Sequence, residues 1–339
     1  MAAPTMGAPA SPRRIVILGY AGAHLLNIAG PSEVFAAANR AQEERRAVGP
    51  ARGSAPYQLE VLSRDGGPIA TAAGIVIDTR VLTPGGEGPV DTLIIPGGAG
   101  IRAVMADPRT LAWIRATAQH ACRVIGLGGG GFILASAGLL AGRRCVCHWR
   151  FEDDLLREYP DVRLLRDALF VTDGRFTTAA GSTASLDVSL RIVEQDLGAG
   201  PALHIASMLI TPRIRPGDQP QLSAEMRARI GAAPRIARAL DWMSENLAQR
   251  RSVAQMAAQF AMSERTFSRA FHRQTGMSPA AFMEQVRLEA AQRWLAGSTL
   301  SVEDVARRCG YSSAAHLTRV WRTRLGLTPL VYRRQMTPD

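Results

Sequence analysis

The sequence predicts a doubly wound α/β domain followed by an all-α region built from two helix-turn-helix units. Three observations carry this. Short apolar runs alternate with helical patterns from residue 13 to residue 198. A stretch richer in Gly and Pro, with Pro201, Pro212, Pro216 and Pro220, then weakens the pattern over 199–233. From 234 to 334 the pattern is helical throughout, and it repeats at an interval of 50 residues. The expected division is a domain at 13–198, a linker at 199–233 and a second domain at 234–334.

The first domain opens with an apolar strand at Arg13–Leu18 and a helix after Pro31, with Val34, Phe35 and Ala38 at helical spacing. Strands are expected at 57–62, 75–77 and 91–95, the last running into Pro96-Gly97-Gly98. A helix over 110–121 leads to a buried-type strand, Arg123–Leu127, that enters four glycines, Gly128 to Gly131. A helix at 132–140, strands at 162–165 and 170–172, and a long helix at 183–197 complete it. Apolar strands separated by helices imply a mostly parallel sheet covered on both faces. Ligands in such sheets sit at the carboxyl ends of strands, so the glycine loops 97–100 and 128–131 mark the expected pocket rim. Within 199–233 the pattern allows one helix, near 203–209.

The repeat is the strongest local signal. Phe267-Ser268-Arg269-Ala270-Phe271 and Gly276-Met277-Ser278-Pro279 return as Leu317-Thr318-Arg319-Val320-Trp321 and Gly326-Leu327-Thr328-Pro329. Upstream, Ser252 and Ser301 each precede a polar residue three places on, the pattern of a capped helix start. Ala257 and Ala306 are small enough to let a second helix approach. Turns at 261–263 and 310–312 separate the two helices of each copy. Ser278-Pro279 and Thr328-Pro329 place a cap before a proline that suits a first helical turn. A helix through 281–295 joins the copies. Two second helices fixed in this way can enter successive major grooves, roughly 34 Å apart.

Charge points the same way. The chain carries a formal net charge of +11, and every basic residue is arginine. From Gly200 onward there are 20 Arg against 10 acidic residues, while the preceding part is nearly neutral. A basic half joined to a neutral half fits a polyanionic partner for one half alone. The Ala/Pro-rich start does not read as a signal peptide, and no run is apolar enough to span a bilayer. A cytoplasmic protein without a membrane partner is expected. The four cysteines, Cys122, Cys145, Cys147 and Cys309, form no repeated CxxC pattern. Zinc at Cys145, Cys147 and His148 lacks a fourth ligand, and a redox pair at Cys145 and Cys147 competes with two inert buried thiols. No cofactor or metal is expected.

Residues 235–334, with Val305-Ala306-Arg307-Arg308-Cys309-Gly310-Tyr311-Ser312-Ser313 and the closing Gly326-Leu327-Thr328-Pro329 string, closely resemble the AraC/XylS-type DNA-binding domain. The resemblance implies a transcriptional regulator, usually an activator, with promoter DNA and RNA polymerase as partners. Base-reading positions then fall on Arg265, Ser268 and Arg269 in the first recognition helix. In the second they fall on Ala314, Ala315, His316 and Arg319. Arginine can bond guanine bidentately, whereas alanine at best touches a thymine methyl. The second unit should therefore contribute more to phosphate and shape recognition. Arg273, Arg322, Arg324 and Arg333 suit phosphates or a solvated face, and Phe267, Phe271, Leu317 and Trp321 suit the core.

Residues 13–198 resemble the DJ-1/PfpI, flavodoxin-like fold. The motifs are Ala29-Gly30-Pro31-Ser32-Glu33-Val34-Phe35, Leu93-Ile94-Ile95-Pro96-Gly97-Gly98, Gly130-Gly131-Phe132 and His148-Trp149. With the C-terminal resemblance this matches the GlxA-type branch of AraC-family regulators, and implies a homodimer. Catalytic relatives carry a cysteine on the turn after the strand; here that position is Gly128. Related hydratases use an acid where this chain has Asn27. The expectation is a non-enzyme whose pocket, formed by Asn27, Glu33, Gly98, Gly128, Gly129 and His148, binds a small effector such as an amino acid or a quaternary amine. Two alternatives stay open: an α/β domain retaining amidase or hydratase activity, and a nonspecific DNA-compacting protein.

Overall fold

The computed structural model describes residues 11–48, 54–83, 89–211 and 215–336. Residues 1–10, on which most of the N-terminal reading falls, and Pro212 of the expected linker lie outside them. The chain forms two compact units, which divide between Gln221 and Leu222.

In the first unit, β1 (Arg13–Leu18) leads to α1 (Leu25–Val48), then to β2 (Tyr57–Ser63), β3 (Gly67–Ala70), β4 (Val76–Val81) and β5 (Thr92–Ile95). Helices α2 (Ile101–Met105) and α3 (Pro108–His120) precede β6 (Arg123–Leu127) and α4 (Gly130–Ser136). Next come β7 (Arg144–Cys145), a 3-10 turn at Trp149–Phe151, α5 (Glu152–Glu158) and β8 (Arg163–Leu164). The unit continues through β9 (Phe170–Asp173), β10 (Phe176–Ala179), α6 (Ala184–Leu197) and α7 (Ala199–Met208). Eight strands form one sheet in the order β3-β4-β2-β1-β5-β6-β10-β9. Its inner pairs are parallel, and the edge strands β3 and β9 are antiparallel. The inner strands β1, β5 and β6 read as continuous apolar runs because both faces are covered, and Ile15, Val16, Ile17, Leu93 and Ile95 have no exposed surface.

Several expectations shift. Helix α1 starts at Leu25, before Pro31, which lies inside it. Pro31 has no N–H to offer the Asn27 carbonyl one turn back, so it interrupts the helical ladder there without ending the helix. Helix α4 starts two residues earlier than expected, on Gly130. Strands β3 and β10 were not expected: Gly67–Ala70 and Phe176–Ala179 are four residues each and carry no run of large apolar side chains. The stretch 199–233 holds two helices. Helix α7 buries Ala202, Ile205 and Ala206 and packs on α1 and α6. Its i, i+3, i+4 stripe is masked in sequence by the flanking Gly and Pro.

The second unit is wholly helical. It comprises α8 (Ala224–Arg229), α9 (Pro234–Glu245), α10 (Val253–Gln259) and α11 (Glu264–Thr275). Then follow α12 (Pro279–Gly297), α13 (Val302–Arg308), α14 (Ala314–Leu325) and α15 (Pro329–Met336). Among the described residues, no helix is long and apolar enough to cross a membrane. The caps fall where the repeat places them. Ser252 Oγ accepts from the Gln255 amide at 3.2 Å, and Gln255 Oε1 accepts from the Ser252 amide at 2.9 Å, a complete capping box. Ser301 Oγ accepts from the Asp304 amide at 3.0 Å. Helices α11 and α14 both end on left-handed glycines, Gly276 and Gly326.

Candidate nucleic-acid interface and small-molecule pocket

Each repeat packs as a helix-turn-helix. In the first, Ala257 on α10 is fully buried against α11, and the turn passes through Ala261 at φ +52°. In the second, Ala306 on α13 is fully buried against α14, and the turn passes through Gly310 at φ +76°. Phe267, Phe271 and Phe282 form one aromatic core, with successive centroids 5.5 and 5.3 Å apart. Leu317 and Trp321 anchor the other, where Trp321 meets Tyr332 at 5.1 Å. None of Phe267, Phe271, Leu317 and Trp321 has exposed surface, so all four are core.

The two repeats are locked to each other. Leu247, after α9, packs into both cores. Arg287 on α12 donates to the carbonyls of Leu247 and Gln249 at 2.9 and 2.7 Å. Arg250 donates to the Tyr311 carbonyl in the second turn at 2.6 Å. A Cβ at Gly310 would collide with the Leu247 carbonyl oxygen and lie 2.9 Å from Arg287 Nε, so position 310 needs glycine for both its φ and its neighbours.

The outward faces of α11 and α14 carry the expected residues. Arg265, Arg269 and Arg273 on α11, and Arg319 and Arg322 on α14, are exposed. None of the five has an acidic partner among the described residues. Ser268 and Ala314 are half-buried beside them and Ala315 is exposed. His316 is tethered: its Nδ1 lies 2.9 Å from Ser312 Oγ, and its ring meets Tyr311 edge-on at 5.5 Å. The Ala314 amide at the start of α14 is occupied by Glu303 Oε2 at 3.1 Å. Two other arginines suggested for phosphate contact are engaged elsewhere. Arg324 pairs with Glu284 at 2.8 Å, and Arg333 donates to the Leu300 carbonyl.

In the first unit three of the residues expected to line a pocket gather at the carboxyl end of β6. Gly128 turns the chain at φ +55° and donates its amide to the Ala179 carbonyl at 2.8 Å, so that N–H is not free for an anion. A Cβ at 128 would lie 3.7 Å from Ala180 O, 3.8 Å from Gly181 Cα and 4.0 Å from Asn27 Nδ2. Asn27 is 1% exposed. Its Nδ2 donates to Leu127 O at 3.4 Å, and its Oδ1 has no partner among the described residues. A buried amide oxygen left unpaired costs about 1–3 kcal/mol, which a bound donor can return. On the other side of Gly181, a Cβ would stand 3.5 Å from His148 Cδ2. His148 Nδ1 accepts from the Arg150 amide at 3.3 Å, which leaves Nε2 as the N–H of the neutral ring. Its ring faces Trp149 and Phe151, with centroids 5.4 and 5.8 Å away.

Burial, with help from the nearby Arg150 and His24, holds His148 below the ordinary histidine value of 6.5. The folded ring resists the proton that an unfolded one accepts, so stability drops as pH falls through 6.5 and is regained above it. Thermal unfolding from about pH 7 to about pH 5 should show a shallower loss in His148→Gln than in the parent. An unchanged slope would mean that His148 titrates freely.

The structure thus brings Asn27, Gly128 and His148 together, with Gly181 and His24 as neighbours that the sequence reading missed. The loop carrying Gly181 follows β10, the strand that went unrecognised. Gly98 and Gly129 serve packing. A Cβ at 98 would collide with the Gly22 carbonyl, and one at 129 would press on the Ile101 side chain at 3.3 Å. Glu33 does not belong to the pocket. It is 63% exposed and pairs with Arg40 at 3.5 Å. Six residues along α1 rotate it by about 240° from Asn27, onto the solvent face.

Cys145 and Cys147 are buried, and burial pushes their thiols up to about 11 and about 12, the reverse of an activated thiolate. A cavity of about 300 Å³ at the opposite end of β6 is lined by Arg123, which is committed to Asp91 and Asp196 at 2.6 and 2.9 Å.

Comparison with known proteins agrees with this architecture. The chain is 29% identical over 275 residues to the HTH-type transcriptional regulator CdhR of Pseudomonas aeruginosa, covering 80% of each chain. It is 27% identical over 297 residues to the HTH-type transcriptional regulator GlxA of Rhizobium meliloti, covering 87% of this chain and 90% of that one. An isonitrile hydratase of Pseudomonas putida is 32% identical over 148 residues, 43% of this chain and 62% of the enzyme. Residues 256–335 match a helix-turn-helix domain. Residues 13–195, more than half of the chain, match the DJ-1/PfpI family, and the chain belongs to that family, with a helix-turn-helix domain joined to its α/β unit.

Proposed function

We propose that this helix-turn-helix transcriptional regulator reads promoter DNA with α11 and α14 and responds to a small molecule held between Asn27 and His148. The observation that supports DNA reading is the set of five exposed arginines without acidic partners on the two recognition helices. Arg265 and Arg269, with Ser268, read bases, and Arg273 and Arg322 hold phosphates. On α14, Ala314 and Ala315 offer no donors and His316 is tethered, so Arg319 carries the readout and the rest is shape. Homodimerisation and contact with RNA polymerase belong to the same reading.

The pocket functions by binding rather than by catalysis, because Gly128 offers no nucleophile and Asn27 offers no acid. The unpaired Asn27 Oδ1 calls for a hydrogen-bond donor. A primary amine or amide supplies one, and a quaternary amine does not.

Selection of genomic fragments by the purified chain at near-physiological salt tests the DNA reading. A recurrent motif with two half-sites about one helical turn apart supports it, and broad binding without a motif leaves a general DNA binder. On the selected site, Arg269→Ala should cost about 1–3 kcal/mol of affinity and relax the preference at one position. Gel-shift titration against single-base variants reads both effects, and unchanged discrimination removes Arg269 from the base-reading set.

A further inference from the structure

Immediately before the second unit begins, residues 215–221 are strapped onto the first. Arg215 anchors one end. Its backbone N–H and its guanidinium both bond the carboxylate of Asp187, at 2.8, 3.0 and 2.6 Å, and Asp187 is 2% exposed. The Gly217 carbonyl accepts from the amides of Leu169 and Phe170, and Pro220 bridges to Ala168. Gln221 anchors the other end. Its Oε1 accepts from the Trp149 amide at 2.8 Å. Its Nε2 donates to the carbonyls of Cys147 and Ala168 at 2.9 and 3.0 Å. Cys147 and Trp149 are the residues on either side of His148. One side chain therefore grips the backbone on both sides of the pocket histidine, and the next residue along the chain, Leu222, opens the DNA-binding unit.

We infer that Gln221 is the positioning residue that passes a change at His148 to the root of the DNA-binding unit. This rests on the reading of the pocket as an effector site. A ligand that turns the His148 ring breaks the bond from the Arg150 amide to its Nδ1, and the 147–150 backbone must rearrange to satisfy that N–H again. The neighbouring amide and carbonyl groups are both held by the Gln221 amide, so displacement of 147–149 changes the hold on the strap. Coupling of this kind is reciprocal: loosening Gln221 must also loosen Trp149.

A double-mutant cycle in the full-length chain tests it, read as affinity for the selected operator and as amide exchange at 147–150 and 222–226. His148→Ala should shift operator affinity on the order of fivefold or more, and in the Gln221→Ala background the same change should leave affinity unmoved. Gln221→Ala alone should speed exchange at Trp149 while leaving exchange in β1 unchanged. An equal shift in both backgrounds, or no shift in either while the parent still binds its operator, overturns the inference. If the parent selects no operator, the regulator reading fails by itself. Exchange then decides alone: His148→Ala that speeds exchange over residues 222–226 in the parent but not in the Gln221→Ala background supports it, and unchanged exchange there overturns it.

Discussion

Trp321→Ala should destabilise the second helix-turn-helix by about 3–5 kcal/mol. Trp321 has no exposed surface and is the largest fully buried side chain of the protein among the described residues. Its ring holds α14 against α15 through Tyr332. Removing it leaves a void that the rigid turn and the α12 connection cannot close. Urea unfolding of the full chain should show an earlier transition for the second unit, with the α/β transition unmoved. On DNA, footprints should shrink to one half-site. Trp321→Phe should be far milder. The indole Nε1 has no partner among the described residues, so phenylalanine loses some ring contact but also removes a buried unpaired donor. If Trp321→Ala unfolds no earlier than the parent, the second repeat is held by something other than this core.

Gly310→Ala should have the next largest effect, through a single methyl group. The left-handed backbone at 310 costs a side-chain-bearing residue about 1–3 kcal/mol by itself. The added Cβ also meets the Leu247 carbonyl and the Arg287 guanidinium. Relief requires the second turn to withdraw from the loop after α9, which breaks the Arg250 bond to Tyr311 as well. The lock between the repeats then opens while each repeat keeps its own core. The expected result is a moderate loss of thermal stability with a large loss of two-site binding. Affinity for an isolated first half-site should be unchanged. Full two-site affinity in Gly310→Ala would show that the lock does not set the spacing of the two recognition helices.

The second unit was legible in the sequence because its determinants are local. Ser252, Gln255, Ser301, Gly276, Gly326 and Pro279 each act within a few residues of where they stand, so their spacing already encodes caps and turns. The sheet was legible where strands are apolar on both faces, as in β1 and β6. It was lost where a strand is short and half-polar, as in β10. The pocket was legible in part. Gly128 and Asn27 stand out by type, and the structure places them together. Glu33 was misplaced because proximity in sequence to Asn27 says nothing of helix face. Gln221 could not have been found. Its partners, Cys147, Trp149 and Ala168, are backbone groups more than 50 residues away, and backbone groups leave no mark in composition.

The exposed positive charge of α11 and α14 is carried by guanidinium groups alone. A guanidinium keeps its proton throughout the range in which proteins survive, and the chain contains no lysine to share the task. Lysine acetylation therefore has no side chain on which to act. Contact with a polyanion should fall steeply as ionic strength rises. For the experimenter, an amine-directed cross-linker or dye finds only the chain terminus, so the recognition helices stay unmodified under labelling that would silence a lysine-rich DNA-binding protein.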